Sequence, residues 1–384
     1  MAKRKILLLN ERDPRNPLAG GAEVHVFEIF KRLAAKGHEV ELLAASFAGC
    51  KSLEVVDGVR VHRLANRYLY YPTVPFALRA AVKRSRPDVV VDVLNKLPFL
   101  SPWVTKTPSF AIVHHLMGTT AFRQVSFPIA AVTWASEKLI PACYRSTPMF
   151  AISPSSRDDM IARGVSGDNI AVLPPGIDDA LYGGGEPVAD RAPTIVWIGR
   201  IEPYKCADHM LSALVKITEA VPEARLVVIG EGQARPDLEA QAARLGVADR
   251  VTFTGFISEQ EKIDWLRKAA VVVNTSEKEG WGMTVIEGNA CGVASVSSDV
   301  PGLRDSVRDG ETGLLYSFGD IDALSTSIIR LLLDPGLRER LVGSARDWAQ
   351  RFSWNRVAED VENLLESAIE PDRRPGTLTA SPFD

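Results

Sequence analysis

Residues 270–287 read Ala270-Val-Val-Val-Asn-Thr-Ser-Glu-Lys-Glu-Gly-Trp-Gly-Met-Thr-Val-Ile-Glu287. Three consecutive valines without polar alternation suit a strand covered on both faces, as in a parallel sheet. A glycine-interrupted loop follows, and a helix is expected from near Gly282. The same grammar recurs at Val89-Val-Val91 and along the whole chain. Short β-rich runs fall at 5–9, 39–44, 59–63, 88–94, 109–113, 149–152 and 170–173, and again at 194–198, 225–229, 250–253, 270–274 and 293–296, with helical stretches between them. Such alternation implies parallel, doubly wound α/β sheets. The turn-rich Tyr182-Gly-Gly-Gly-Glu-Pro187 lies between two complete alternations. The expectation is two Rossmann-like domains, 1–180 and 181–354, with late helices at 320–334, 336–351 and 355–369. A polar, aperiodic tail, 371–384, is expected to be disordered.

Composition narrows the function classes. With 384 residues, 46% hydrophobic and a net charge of -3, the chain can bury two cores, and disorder is excluded as its main state. No apolar run approaches the ~18–20 residues of a membrane span. Ile6-Leu-Leu-Leu9 ends at Asn10-Glu-Arg-Asp13, too soon for a signal peptide, and reads as the first strand. Cys50, Cys143, Cys206 and Cys291 show no C-x-x-C spacing, which speaks against a disulfide framework or zinc site and for a cytoplasmic chain. The small net charge conceals an asymmetry: residues 1–180 carry 23 basic against 16 acidic side chains, and 181–384 carry 22 against 32. The basic half suits an anionic partner. Nucleic acid is not expected, because no basic-aromatic RNA motif or zinc-finger pattern is present.

Several motifs could carry chemistry. Gly20-Gly21 opens a helix after the first strand, where backbone N–H groups and the helix dipole can receive an anion; a plain loop pair is the alternative. Gly199-Arg-Ile-Glu-Pro-Tyr-Lys205 leaves the first strand of the second half, at the sheet end where open α/β folds bind ligands. Arg200 and Lys205 could together neutralise a diphosphate, or be a solvated surface pair. Glu279 and Glu287 are eight residues apart, so they cannot share one helix face. With a helix start near Gly282 they bracket a terminus offering the N–H groups of Gly282, Met283 and Thr284. His114, at a strand end, could hydrogen-bond a substrate hydroxyl or be a satisfied core histidine. Asp320-Ile-Asp322 follows a glycine at a helix start and reads as an N-cap rather than a metal motif. No other cluster has metal-ligand spacing.

As a set these motifs resemble the family-4 retaining glycosyltransferases of the GT-B fold, over nearly the whole chain. The resemblance implies two Rossmann-like domains facing a cleft, with the last helix, 355–369, crossing back to the N-terminal domain. It implies a nucleotide-sugar donor (UDP- or GDP-hexose), a hydroxyl acceptor, retention of configuration, and neither metal nor other cofactor. By the same resemblance Gly199, Arg200 and Lys205 grip the diphosphate, Glu279 and His114 act on the donor sugar, Glu287 holds the ribose, and Gly20 and Gly21 form a phosphate loop. Base recognition is expected around Gly230, Gly232 and Ile257. Pro174-Pro-Gly-Ile-Asp178 and Phe352-Ser-Trp354 resemble the interdomain and final-helix segments. Two positions depart from the pattern: Cys206 stands where a glycine is usual, and Pro175 where asparagine is common. The rival readings are a nucleotide-sugar 2-epimerase and a non-catalytic nucleotide-sugar or glycan-binding protein. Finally, 67–86 interleaves aromatic and apolar residues with five cations and no acid. That stretch is a candidate peripheral contact with an anionic inner membrane surface, which would suit a lipid-linked acceptor; the alternative is a helix packed on the first sheet.

Overall fold

A computed structural model describes residues 2–95, 97–184, 187–188, 191–370 and 383. The chain divides into two compact units, Met1–Gly176 with Trp354–Asp384, and Ile177–Ser353. Of the turn-rich segment, residues 185 and 186 lie outside the described residues, as does nearly all of the polar tail.

The strands of the first unit are β1 (Lys5–Leu9), β2 (Glu39–Ser46), β3 (Leu53–Val56), β4 (Val59–Asn66), β5 (Val89–Leu94), β6 (Ser109–Val113), β7 (Met149–Ala151) and β8 (Ile170–Val172). They pair in the order β3-β4-β2-β1-β5-β6-β7-β8. All six residues of β5 are buried, as a strand covered on both faces requires. The expectation of a wholly parallel sheet is corrected at one edge, where β3 runs antiparallel to β4. Asp57 and Gly58 turn that hairpin with φ of 46° and 85°, the left-handed pair that a two-residue hairpin loop demands.

The second unit holds β9 (Thr194–Ile198), β10 (Arg225–Ile229), β11 (Val251–Gly255), β12 (Val271–Asn274), β13 (Ala294–Ser298) and β14 (Gly313–Tyr316). Their order is β11-β10-β9-β12-β13-β14, parallel throughout. The chain runs outward one way from β9 and the other way from β12, so the loops leaving these two strands diverge at a switch point. This is where an open α/β sheet forms its ligand crevice.

Two helices bear on questions left open by the sequence. Segment 67–86 contains the helix Tyr70–Ser85, whose Tyr70, Val74, Leu78 and Ala81 are buried at helical spacing against the first sheet. Its Arg79, Lys83 and Arg84 are exposed, and Arg84 reaches Glu41 at 2.9 Å. The helix Trp354–Ile369 belongs to the first unit, beside the helix Gly21–Ala35. It buries Val357, Val361, Leu364, Leu365 and Ala368, and its outer flank pairs Glu362 with Lys36 at 2.8 Å and Glu366 with Arg4 at 2.6 Å. Among the described residues no helix is long and apolar enough to cross a membrane.

Candidate functional site

The loop leaving β9 is built by backbone contacts that exclude side chains. Gly199 N–H donates to the Ile229 carbonyl at 3.0 Å, Ile201 N–H to that of Glu231 at 2.8 Å, and Ala234 N–H to that of Ile201 at 3.1 Å. A Cβ at Gly230, where φ is +136°, would strike the Gly199 carbonyl oxygen, and one at Gly232 the Ile201 carbonyl oxygen. Gly230 N–H also donates to the Gly255 carbonyl at 3.1 Å, tying in the loop that carries exposed Phe256 and half-buried Ile257. Arg200 is exposed, with Nη2 3.1 Å from the Tyr204 hydroxyl. Lys205 is held differently. Its Nζ pairs with Glu279 Oε1, and Glu279 accepts a second bond from Ser276 Oγ at 2.7 Å. Thr275 Oγ1 donates to the Lys205 carbonyl at 2.9 Å and accepts from the Trp197 indole at 3.0 Å, fixing the lysine's backbone. Burial works against both charges, but each outweighs it for the other. Lys205 is held above the usual lysine range by Glu279 and Tyr204, and Glu279 below the usual carboxylate range by Lys205.

After β12 the chain reaches the helix Met283–Ala290 through Gly282, whose φ of 147° and crowded surroundings require glycine; a Cβ would lie 2.6 Å from Ser306 Oγ. The first bonds into this helix come from Val285 and Ile286, both to the Gly282 carbonyl. The N–H groups of Met283 and Thr284 precede that ladder, at the positive end of the helix. Glu279 lies in the loop before Gly282, and Glu287 is the fifth helical residue. Lys262 Nζ bridges Glu287 and Glu259 at 3.0 Å each, and the Tyr182 hydroxyl donates to Glu259. Burial raises the Glu287 carboxyl, with Lys262 opposing and Glu259 adding to the rise. The site residues of this unit therefore form two clusters, Lys205–Glu279 and Lys262–Glu287, on either side of one helix start.

In the first unit, Gly20 caps the helix Gly21–Ala35 with extended backbone, and its N–H donates to Glu23 Oε2 at 2.8 Å. One donor at this helix start is thus occupied by the helix's own carboxylate. His114 follows β6 and is buried, with Nε2 2.9 Å from Nδ1 of buried His25. Burial, then His25 and His115, hold the His114 imidazole well below its usual pKa, and burial brings His25 to about 3. Both rings are neutral at pH 7, so a single proton sits between them. Buried Glu137 accepts from the N–H groups of Met117 at 2.6 Å and Gly118 at 2.7 Å, and pairs with Arg163 at 3.0 Å. It pins the loop that follows His114.

Residues 185–348 match the family described as Glycosyl transferases group 1, and residues 19–181 match Glycosyltransferase Family 4. The D-inositol 3-phosphate glycosyltransferase of Thermomonospora curvata is 30% identical over 91% of this chain and 90% of its own length. The chain belongs to the family-4 glycosyltransferases. This glycosyltransferase is also 29% identical to the D-inositol 3-phosphate glycosyltransferase of Streptomyces bingchenggensis, over 93% of the chain and 86% of the relative. Among solved structures it is similar to sucrose-phosphate synthase from Thermosynechococcus elongatus, with a TM-score of 0.81, 23% identity, and 95% and 99% of the two chains covered. It is also similar to Anabaena Alr3699/HepE in complex with UDP-glucose, with a TM-score of 0.76, 21% identity, and 95% and 100% covered. These likenesses establish its GT-B architecture of two Rossmann-like units.

Sequence reasoning missed His25, Lys262, Tyr182 and Glu137. A signal existed for His25, which sits on the buried stripe of its helix beside Val26 and Ile29. None existed for Lys262, which meets Glu287 only because two helices pack together. Asp320 accepts from Ala323 N–H at 2.8 Å, the N-cap role read from the sequence, and Asp322 pairs with Lys216 at 2.6 Å. The expectation of no metal-ligand cluster needs one amendment, because Cys206, Asp208 and His209 of this glycosyltransferase are gathered at one helix start.

Proposed function

We propose that the chain is a retaining hexosyltransferase that moves a sugar from a UDP- or GDP-sugar to a hydroxyl acceptor without a metal ion. The observation that carries this reading is the half-buried Lys205–Glu279 pair beside the open N-terminus of the helix Met283–Ala290. A lysine kept charged next to free backbone donors is preorganised for negative charge that grows as a diphosphate departs. In this reading Arg200, Lys205 and the N–H groups of Gly282, Met283 and Thr284 receive the diphosphate, and Glu279 holds sugar hydroxyls. Glu287, oriented by Lys262, accepts the ribose hydroxyls. The leaving phosphate helps to deprotonate the acceptor, and no enzymic nucleophile is invoked. His114, neutral and oriented by His25, offers a hydrogen bond rather than a charge to the donor sugar.

The names of the relatives make UDP-glucose the first donor to try and inositol 3-phosphate the first acceptor. An anionic acceptor also suits the excess of basic over acidic residues in 1–180. A lipid-linked hydroxyl is the second choice. The test is transfer from a panel of UDP- and GDP-hexoses, with the product's anomeric configuration read by NMR. Retention and activity in EDTA are expected. An inverted product, or an EDTA-inactive enzyme rescued by Mg²⁺, would overturn those parts of the reading. Epimerised donor formed without acceptor would replace it.

A further inference from the structure

The transfer chemistry uses Lys205 but not the residues that follow it. We propose that Cys206, Asp208 and His209 form a binding site for a soft divalent cation, with zinc the metal that their donor set favours. A thiol, a carboxylate and an imidazole each place a ligand atom within 4.8 Å of the other two. All three lie in one turn of chain entering the helix Ala207–Ala220, so the chelate needs no distant segment to close it. Cys206 holds the left-handed conformation, φ 49°, at that entry.

A second observation comes from β14. Tyr316, at the end of β14, is 3% exposed, and its hydroxyl is buried without a hydrogen-bond partner. Its electrostatic neighbours are the Cys206 thiol and the Asp208 carboxylate. The His209 ring packs 5.5 Å from that of Phe318, which brings the 316–318 segment over the same turn. His209 Nδ1 is also buried and unpartnered. Buried polar atoms are nearly always satisfied, and orphaned ones beside three metal-ligand side chains are accounted for by an ion and its bound water.

The choice of ion follows from the donors. Sulfur and nitrogen with one oxygen, and a fourth position left for water, are what zinc accepts; magnesium and calcium take oxygen sets. On binding, the Cys206 Sγ–H proton passes to solvent and an Sγ–metal bond replaces it. Cys206 stands where the resembled motif has glycine, so the site is a property of this chain and not of the transfer reaction. Transfer itself stays resistant to EDTA.

The test uses the full, tag-free, reduced protein. Equilibrium dialysis against zinc should give one ion per chain, with one proton released, measured by calorimetry in buffers of different ionisation enthalpy. Cobalt should give a thiolate charge-transfer band. Cys206→Gly, which suits the left-handed backbone, and His209→Ala should each weaken binding by about 100-fold or more, since losing even an outer-shell partner costs about 10–100-fold. Cys50→Ser should change nothing, and unchanged circular dichroism certifies the fold of every variant. No saturable binding at micromolar zinc, or binding that survives Cys206→Gly, overturns the proposal.

Discussion

Around His114 the buried ionisable groups are kept neutral, whereas around Glu279 they are kept charged. Both clusters sit at carboxyl ends of parallel strands and both are largely out of water. The difference lies in what each polar atom faces. His114 meets another imidazole, which offers one hydrogen bond and no compensating charge, so burial decides and the proton is lost. Lys205 meets a carboxylate, so the pair keeps both charges against the desolvation penalty. A neutral cluster can orient hydroxyls, and a charged one can stabilise a departing anion. One architecture thus supplies two electrostatic environments through the choice of partner for a single buried residue.

The largest test of this contrast is to remove one charge. Lys205→Met or Arg200→Met should lower kcat and kcat/KM together by ~10²–10³-fold, as for other preorganised charge-stabilising groups. A change confined to KM would reduce both residues to ground-state binding. Glu279→Ala should abolish transfer but spare affinity for free nucleoside diphosphate. By contrast, Glu287→Ala should weaken that affinity by ~1.5–3 kcal/mol, the worth of a charged hydrogen bond. Calorimetry that cannot distinguish the two variants would remove the separate assignments.

Acid should separate the two units. His25 and His114 bind protons in the unfolded chain below about 6.5 that their folded forms resist, so the stability they contribute is present above that pH and is lost as pH falls, toward about 3 for His25. Asp92 acts in the opposite sense. Burial raises its carboxyl to about 6, so the stability it contributes is present below its ordinary value and lost as pH rises through 6. With two such histidines against one such carboxyl, the net effect of acidification below about 6 is a loss of stability. Hydrogen exchange should show amides of β1 and β6 losing protection before those of β9 and β12, and His25→Phe should flatten the difference. Equal loss in both sheets would break the comparison.

The smallest expected effect concerns the exposed cations of the helix Tyr70–Ser85. Reversing Arg79 and Lys83 should weaken co-sedimentation with anionic vesicles by roughly 1 kcal/mol for each residue near the surface. Binding that is absent, or indifferent to salt, leaves that helix with its packing role alone.

What the sequence disclosed follows the range of the forces involved. Val89-Val-Val91 and Val271-Val-Val273 announce two-sided burial, because a strand's own residues record what covers it. The antiparallel β3 was missed although Asp57-Gly58 carries a hairpin signature. Its Leu53 and Val55 are more than half exposed, so the apolar pattern pointed to no sheet face. Glu279 and Glu287 could be placed about a helix start because Gly282 marks that start locally. The partners that set the charge states of Glu287 and His114 could not be read in the same way. Lys262 lies 25 residues before Glu287, and His25 lies 89 before His114.

The helix Trp354–Ile369 also bears on how the molecule is made. It supplies part of the core of the first unit, yet it is encoded after all of Ile177–Ser353. During synthesis at roughly 5–20 residues per second, the first sheet must therefore wait on the order of ten seconds or more for its last helix. Over that interval the helix Gly21–Ala35 lacks the neighbour that buries its flank, and Arg4 and Lys36 have not met Glu366 and Glu362. The second unit, continuous in sequence, can close first. The part of the chain made earliest is therefore the part completed last, and it is the part that a nascent-chain chaperone would need to shield.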